Sequence, residues 1–101
     1  MAADAEKRPA RVIFRIHAVR RMAQRGISEV DVLSVLTTGE TIETYLDDTP
    51  YPSRLLLGES ASRPLHVVAA ENTRAHETIV VTVYEPDPLL WDAGFRRRRQ
   101  A

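Results

Sequence analysis

The hydrophobic pattern of this chain changes period at Gly39, and that single change limits the fold more than any other feature of the sequence. Before it, apolar residues recur at helical spacing. At 100° per residue, Ala18, Val19, Met22 and Ala23 gather on one side of segment 16–25, and His17, Arg20, Arg21, Gln24 and Arg25 on the other. Gly26 supplies the left-handed position with which helices often end. Ser28, with Asp31 three residues on, forms an S-x-x-D cap for a second helix, Ile27 is placed to staple against Val32, and Val32, Leu33 and Leu36 make its core stripe. After Gly39 the period is two: segments 41–46, 53–59, 64–70 and 77–85 read as strands.

The links between those strands are short and rich in turn residues, which favours antiparallel neighbours because a parallel crossover needs a dozen or more residues. The expected fold class is therefore α+β, with two N-terminal helices packed on a four-stranded antiparallel sheet. Residues 11–16, RVIFRI, read as a short strand or an extended lead-in. A chain of 101 residues builds one core, so residues 11–95 are expected to form a single domain, preceded by a frayed leader over 1–10 and followed by a basic tail over 96–101. Pro86 and Pro88 end the last strand. One helical turn should then lay Leu89, Leu90, Trp91 and Phe95 on the body, leaving the arginines to trail into solvent.

Cysteine is absent, which excludes disulfide scaffolds and thiol catalysis and leaves only His, Asp and Glu as metal ligands. None of the His residues stands at i, i+4 to another His or an acid, so no metal is expected and no cofactor motif is present. The polar start lacks the apolar run of a signal peptide, and no stretch is long and apolar enough to span a bilayer. The expected location is cytoplasmic, away from membranes.

Formal net charge is zero, yet the charges are segregated. Seven cations and no acid lie between Lys7 and Arg25, and four more run from Arg96 to Arg99, whereas three arginines face twelve acids between Gly26 and Phe95. A neutral sum can thus carry a basic face suited to phosphates. Its sharpest part is the stripe His17, Arg21, Arg25, flanked by Arg20, in which i, i+4 spacing stacks the side chains along one helix face. Guanidinium forks bind phosphate oxygens bidentately, and an imidazole can give or take a proton near neutral pH. A metal-free ribonuclease needs that combination: a base for the 2′-hydroxyl, cations for the developing charge and an acid for the leaving oxygen. A solvated helix face explains the same residues without any function.

On the strands, alternation puts His66 with Val68 and Ala70 opposite Leu65, Val67 and Ala69, and puts Thr82 and Tyr84 opposite Ile79, Val81 and Val83. If these strands pair, His66 and Tyr84 share a face; taken singly, each is equally a half-buried sheet residue satisfied by hydrogen bonds. His76 falls in a turn. Arg96 and Arg97 open a run that is a sequence-independent phosphate contact by composition, or a solubilising tail.

The ordered series HAVRRMAQRGIS (17–28), GETIETY (39–45), PLHVVAA (64–70) and VTVYEPDPLLW (81–91) resembles a small prokaryotic domain-of-unknown-function family that opens with H-A-x-x-R-M-x-x-R-G-I and closes with T-V-Y-x-P before a Trp. The likeness covers about residues 13–95. That family is similar to RelE- and BrnT-type toxins, which implies a RelE-like arrangement of helices on an antiparallel sheet, metal-independent RNA cleavage and a neighbouring antitoxin. By carry-over, His17, Arg21 and Arg25 match the opening motif, His66 the middle strand and Tyr84 the last strand. The neutral net charge departs from such toxins, which are markedly basic.

Two functions follow as expectations. One is a toxin-like ribonuclease, an mRNA interferase of a toxin–antitoxin pair, with His17, Arg21, His66 and Tyr84 as catalytic residues, Arg20, Arg25, Arg96 and Arg97 on phosphates, and RNA or the ribosome and an antitoxin as partners. The other is a non-catalytic module that binds nucleic acid or protein with the same face.

Overall fold

A computed structural model describes residues 10–100. In chain order it contains β1 (Arg11–Phe14), α1 (Ile16–Arg25), α2 (Glu29–Thr38), β2 (Glu40–Tyr45), β3 (Ser53–Ser60), β4 (Arg63–Asn72) and β5 (Glu77–Tyr84). Most of the leader expected over 1–10 lies outside the described residues. The strands form one sheet in the order β1-β5-β4-β3-β2.

The class is α+β with two helices, as the periods predict, but the sheet has five strands and is mixed. From β2 to β5 every pairing is antiparallel. The segment left open as strand or lead-in is β1, which runs parallel to β5 with Arg11 opposite Glu77 and Phe14 opposite Val80. The short-link argument holds only between consecutive strands. β1 and β5 are joined by the two helices and three other strands, so nothing in the connection forbids a parallel match.

Both helices pack on one sheet face. Ala18 and Met22 of α1 and Val32 and Val35 of α2 form a single cluster with Leu56, Leu65, Val67, Ala69, Val80 and Val83. Burying each of these larger aliphatic side chains contributes about 1.5–3 kcal/mol. A bulge between Val68 and Ala69 corrects the expected alternation in β5: Val68 pairs with Thr82 and Ala69 with Val80, skipping Val81. Val80 and Val83, rather than Ile79, Val81 and Val83, therefore reach the helical core.

The apolar faces of the helices are narrower than the periodicity suggests. Val19 is exposed beside buried Ala18, and in α2 it is Val32 and Val35 that are buried while Leu33 is exposed and Leu36 half-buried. Gly26 ends α1 at φ 65°, in the left-handed region. Ser28 caps α2: its hydroxyl accepts from the Asp31 N–H at 3.1 Å, and its own N–H donates to the Asp31 carboxylate at 2.8 Å. Gly58 of β3 is required by contact rather than by torsion, since a Cβ there would lie 2.7 Å from a Val35 methyl. Among the described residues no helix is long and apolar enough to cross a membrane.

Candidate functional site

The second face of the sheet carries the polar groups. Across β3, β4 and β5 the register sets Leu57, His66 and Tyr84 in one row, Leu55, Val68 and Thr82 in the next, and Ser53, Ala70 and Ile79 in the third. His66 and Tyr84 do share a face, as alternation predicts. His66 is fully buried, however, and both ring nitrogens are engaged: Nε2–H donates to the Phe95 carbonyl at 2.8 Å, and the Tyr84 hydroxyl lies 3.2 Å from Nδ1. A carbonyl only accepts, so the proton sits on Nε2 and Tyr84 donates to Nδ1. The Trp91 ring meets the imidazole edge to face at 4.5 Å.

Burial pushes the His66 pKa down; the Phe95 bond and the Glu43 carboxylate oppose that shift, and Arg98 adds to it. Burial likewise raises the Tyr84 pKa. In β2 the Tyr45 hydroxyl donates to Glu43, and burial followed by that carboxylate pushes the Tyr45 pKa up to about 12.

The covering is made by the C-terminal segment. Instead of trailing into solvent, residues 91–98 fold back as a small hairpin: Trp91 bridges Arg98, the Asp92 N–H donates to the Arg97 carbonyl at 2.9 Å, and the Arg99 N–H donates to the Leu90 carbonyl at 2.8 Å. Arg96 Nε reaches Glu40 at 2.9 Å, Arg98 Nε lies 3.6 Å from Glu43, and the Arg98 guanidinium stacks 4.6 Å from the Trp91 ring centre. The arginines are held because β2 presents carboxylates beside the groove that Trp91 fills. Of the apolar residues expected on the body, Trp91 is 2% exposed and Phe95 half-buried, but Leu89 and Leu90 stand 82% and 60% in solvent.

Further along the same face, a cleft of about 390 Å³ opens between the start of α1 and the β2–β3 loop. Its floor includes Ala70, Val81 and Ser53, and its walls are Arg15, Ile16 and His17 on one side and Asp48, Thr49, Pro50 and Tyr51 on the other. The loop wall is braced from behind, the Ser53 hydroxyl donating to Asp48 at 2.5 Å and the Asn72 amide donating to the Tyr51 hydroxyl at 3.1 Å. His17 is exposed, and among the described residues its ring makes no hydrogen bond. Arg15, the residue before α1, makes no side-chain cap.

The sequence-predicted residues thus fall into separate groups. His17 lines the cleft; Arg20 and Arg25 are exposed and Arg21 half-buried on α1, outside its lining. His66 and Tyr84 lie under the hairpin. Ala70 is four residues from His66 on one strand, about 13 Å at strand rise, so the two histidines occupy neighbouring stretches of one face and share no lining. Arg96 is paired with Glu40, and Arg97 is exposed. Among the described residues no group of three or more His, Asp or Glu is placed to hold a metal ion.

Sequence reasoning missed Arg15, Asp48 and Tyr51 in the cleft, and Glu43, Tyr45 and Arg98 around His66. It also missed Arg63, whose guanidinium donates to the Arg25 and Gly26 carbonyls at 3.0 Å each and to Glu85 at 3.1 Å, fixing the C-terminal end of the basic helix to the sheet. The one available signal was an aromatic residue between two prolines in an acidic loop, which reads as turn chemistry alone.

No curated protein and no solved structure matches the chain. The model of one family, DUF4258, a domain of unknown function, matches residues 14–85, which include α1 with His17, every residue that lines the cleft, and both His66 and Tyr84. The chain belongs to the DUF4258 family.

Proposed function

We propose that this chain is a toxin-like, metal-independent ribonuclease of RelE-like type, acting in the cytoplasm, and that its reacting centre is the His17 cleft. The observation that carries the reading is an exposed imidazole, making no hydrogen bond among the described residues, in a cleft that Arg15 also lines. His17 takes the proton of a ribose 2′-hydroxyl; the 2′-oxygen attacks phosphorus, the bond to the 5′-oxygen breaks and that oxygen takes a proton from water, and the products are a 2′,3′-cyclic phosphate and a 5′-hydroxyl. Arg15 offsets the charge that develops on the phosphate, and Arg21, one turn along α1 from His17, holds a neighbouring phosphate outside the cleft. The Tyr51 ring and Pro50 offer an apolar wall for an unstacked base. Arg20 and Arg25 extend the phosphate track, and RNA, the ribosome and an antitoxin that neutralises this face are the partners the reading entails.

Inducing the wild-type chain in cells should slow growth and fragment RNA, whereas a His17→Ala, Arg21→Ala chain of equal soluble yield should do neither. Intact RNA and unchanged growth with the wild type would overturn the proposal.

A second reading is favoured by the state of His66 and Tyr84. Both are spent on internal hydrogen bonds, so the basic face stands without a second acid–base pair beside it. On that reading the chain is a non-catalytic nucleic-acid or protein-binding module, which retains RNA with a steep salt dependence and yields no cleavage products.

A further inference from the structure

The face that holds the His17 cleft is covered at its His66 end by a segment whose grip on the sheet is uneven. Apart from the buried Trp91 ring and the Phe95 carbonyl on His66, the hairpin is tied to the strands by two arginine–carboxylate pairs, Arg96–Glu40 and Arg98–Glu43, and by the approach of Arg98 to the Tyr45 hydroxyl. Three of those four side chains are more than half exposed, the class of ion pair that adds little and is screened by salt. The same guanidiniums are phosphate ligands by chemistry, and they lie beside Arg97 and Arg99. Phe95, which carries the carbonyl on His66, sits at φ 59°, a left-handed torsion uncommon for a residue with a side chain.

Beneath the hairpin lies a group of proton-active side chains that the cleft does not use. Tyr84 donates to His66, Tyr45 donates to Glu43, and Arg98 stands beside both pairs. Between this group and the floor of the cleft only the Val68 and Thr82 row intervenes. Lifting the hairpin would turn two separated centres into one groove along the sheet.

We propose that residues 91–99 are a displaceable strap, that nucleic-acid phosphates release it by exchanging with Glu40 and Glu43 for Arg96 and Arg98, and that release opens His66, Tyr84, Tyr45 and Glu43 as a second polar site continuous with the His17 cleft. The inference rests on the ribonuclease reading for the identity of the anion, but its test does not require cleavage.

Trp91 is the sole tryptophan of the chain and reports the strap directly. Its emission and its quenching by acrylamide are to be followed while a short single-stranded 2′-O-methyl RNA, which cannot be cut through the 2′-oxygen, is titrated into the full chain. Binding is measured in parallel by anisotropy of the same RNA carrying a label. The strap predicts a red shift and stronger quenching that track binding, absent with sodium chloride at matched ionic strength. Replacing Glu40→Gln or Glu43→Gln should lower the RNA concentration at half-change by up to about fivefold each, the worth of one surface ion pair. Three results would overturn it: RNA that binds while Trp91 stays shielded, salt that reproduces the shift unaided, or no RNA binding at all. Cleavage of ordinary RNA with Trp91 still shielded would leave the ribonuclease standing and remove the strap.

Discussion

The Nε2–H of His66 donates to the Phe95 carbonyl at 2.8 Å, joining the centre of the sheet to the C-terminal hairpin through one buried bond. This bond fixes the neutral tautomer and leaves Nδ1 as the acceptor for Tyr84. A second proton on Nδ1 would force the Tyr84 hydroxyl to turn from donor to acceptor and would place a charge inside a site sealed by Trp91.

Stability should therefore fall in mild acid. The folded pKa of His66 lies below its ordinary value, so below about pH 6.5 the unfolded chain binds more protons than the folded one, and stability present above that pH is lost as pH drops. Glu43, Arg98 and Tyr84 are the charged and titratable groups that face the ring. Thermal melts should show a lower Tm at pH 5.5 than at pH 7.5, with a smaller difference in His66→Gln. An equal difference in both proteins would contradict the assignment. Asp31, held below the usual carboxylate range first by its hydrogen bond from Ser60 and then by the Ser28 bonds, acts in the same direction but only near and below its free pKa of about 4.

The single tryptophan should dominate the stability of the C-terminal hairpin. Truncation of a buried aromatic typically costs about 3–5 kcal/mol, so Trp91→Ala should show a loss of that order in urea unfolding. Leu89→Ala and Leu90→Ala, on the same segment but in solvent, should stay within about 0.5 kcal/mol of wild type. A mild Trp91→Ala would mean that the hairpin contributes little to the folded state.

Gly58 tests the packing of α2 on β3. An added methyl at this position meets Val35 at 2.7 Å, and overpacking of this kind costs about 1–3 kcal/mol. Gly58→Ala should be destabilised accordingly, and Val35→Ala in the same chain should recover part of the loss. Additive losses would show that the two positions are not in conflict.

The Ser28 cap is local and separable from the core. Ser28→Ala removes the acceptor for the Asp31 N–H and should lower stability by about 1 kcal/mol while leaving RNA binding unchanged. A measured effect below a few tenths would place the stability of α2 wholly in its packing.

What the sequence reveals depends on the range of the interaction concerned. The helices, their Gly26 and Ser28 boundaries and the four antiparallel strands are set by periodicity and capping within a few residues, and all are present in the structure. The pairing of β1 with β5 joins residues 66 apart, as Arg11 and Glu77 show, and no local pattern encodes it. The bulge at Val68 shifts the faces of β5 by one residue, which strict alternation cannot anticipate. For the site, His66 and Tyr84 were legible as cross-strand neighbours. Their burial was not, because it depends on a carbonyl at Phe95 and on arginines drawn to Glu40 and Glu43, partners that composition reads only as a charged tail. Of the cleft only His17 was legible, as the first residue of the stripe; Arg15 stands outside the stripe, and the Asp48–Tyr51 side comes from the β2–β3 loop, which no helical or strand period reaches.

On the proposed function, His17 transfers a proton during RNA cleavage in a cleft that needs no metal. This is tested most directly by incubating the purified chain with end-labelled single-stranded RNA in excess EDTA and resolving the products on a gel. The wild type should give fragments ending in a 2′,3′-cyclic phosphate, and His17→Ala a rate lower by about 100-fold or more, the usual contribution of a general acid or base. Cleavage that persists unchanged in His17→Ala, or RNA that is bound and left whole by the wild type, would contradict it.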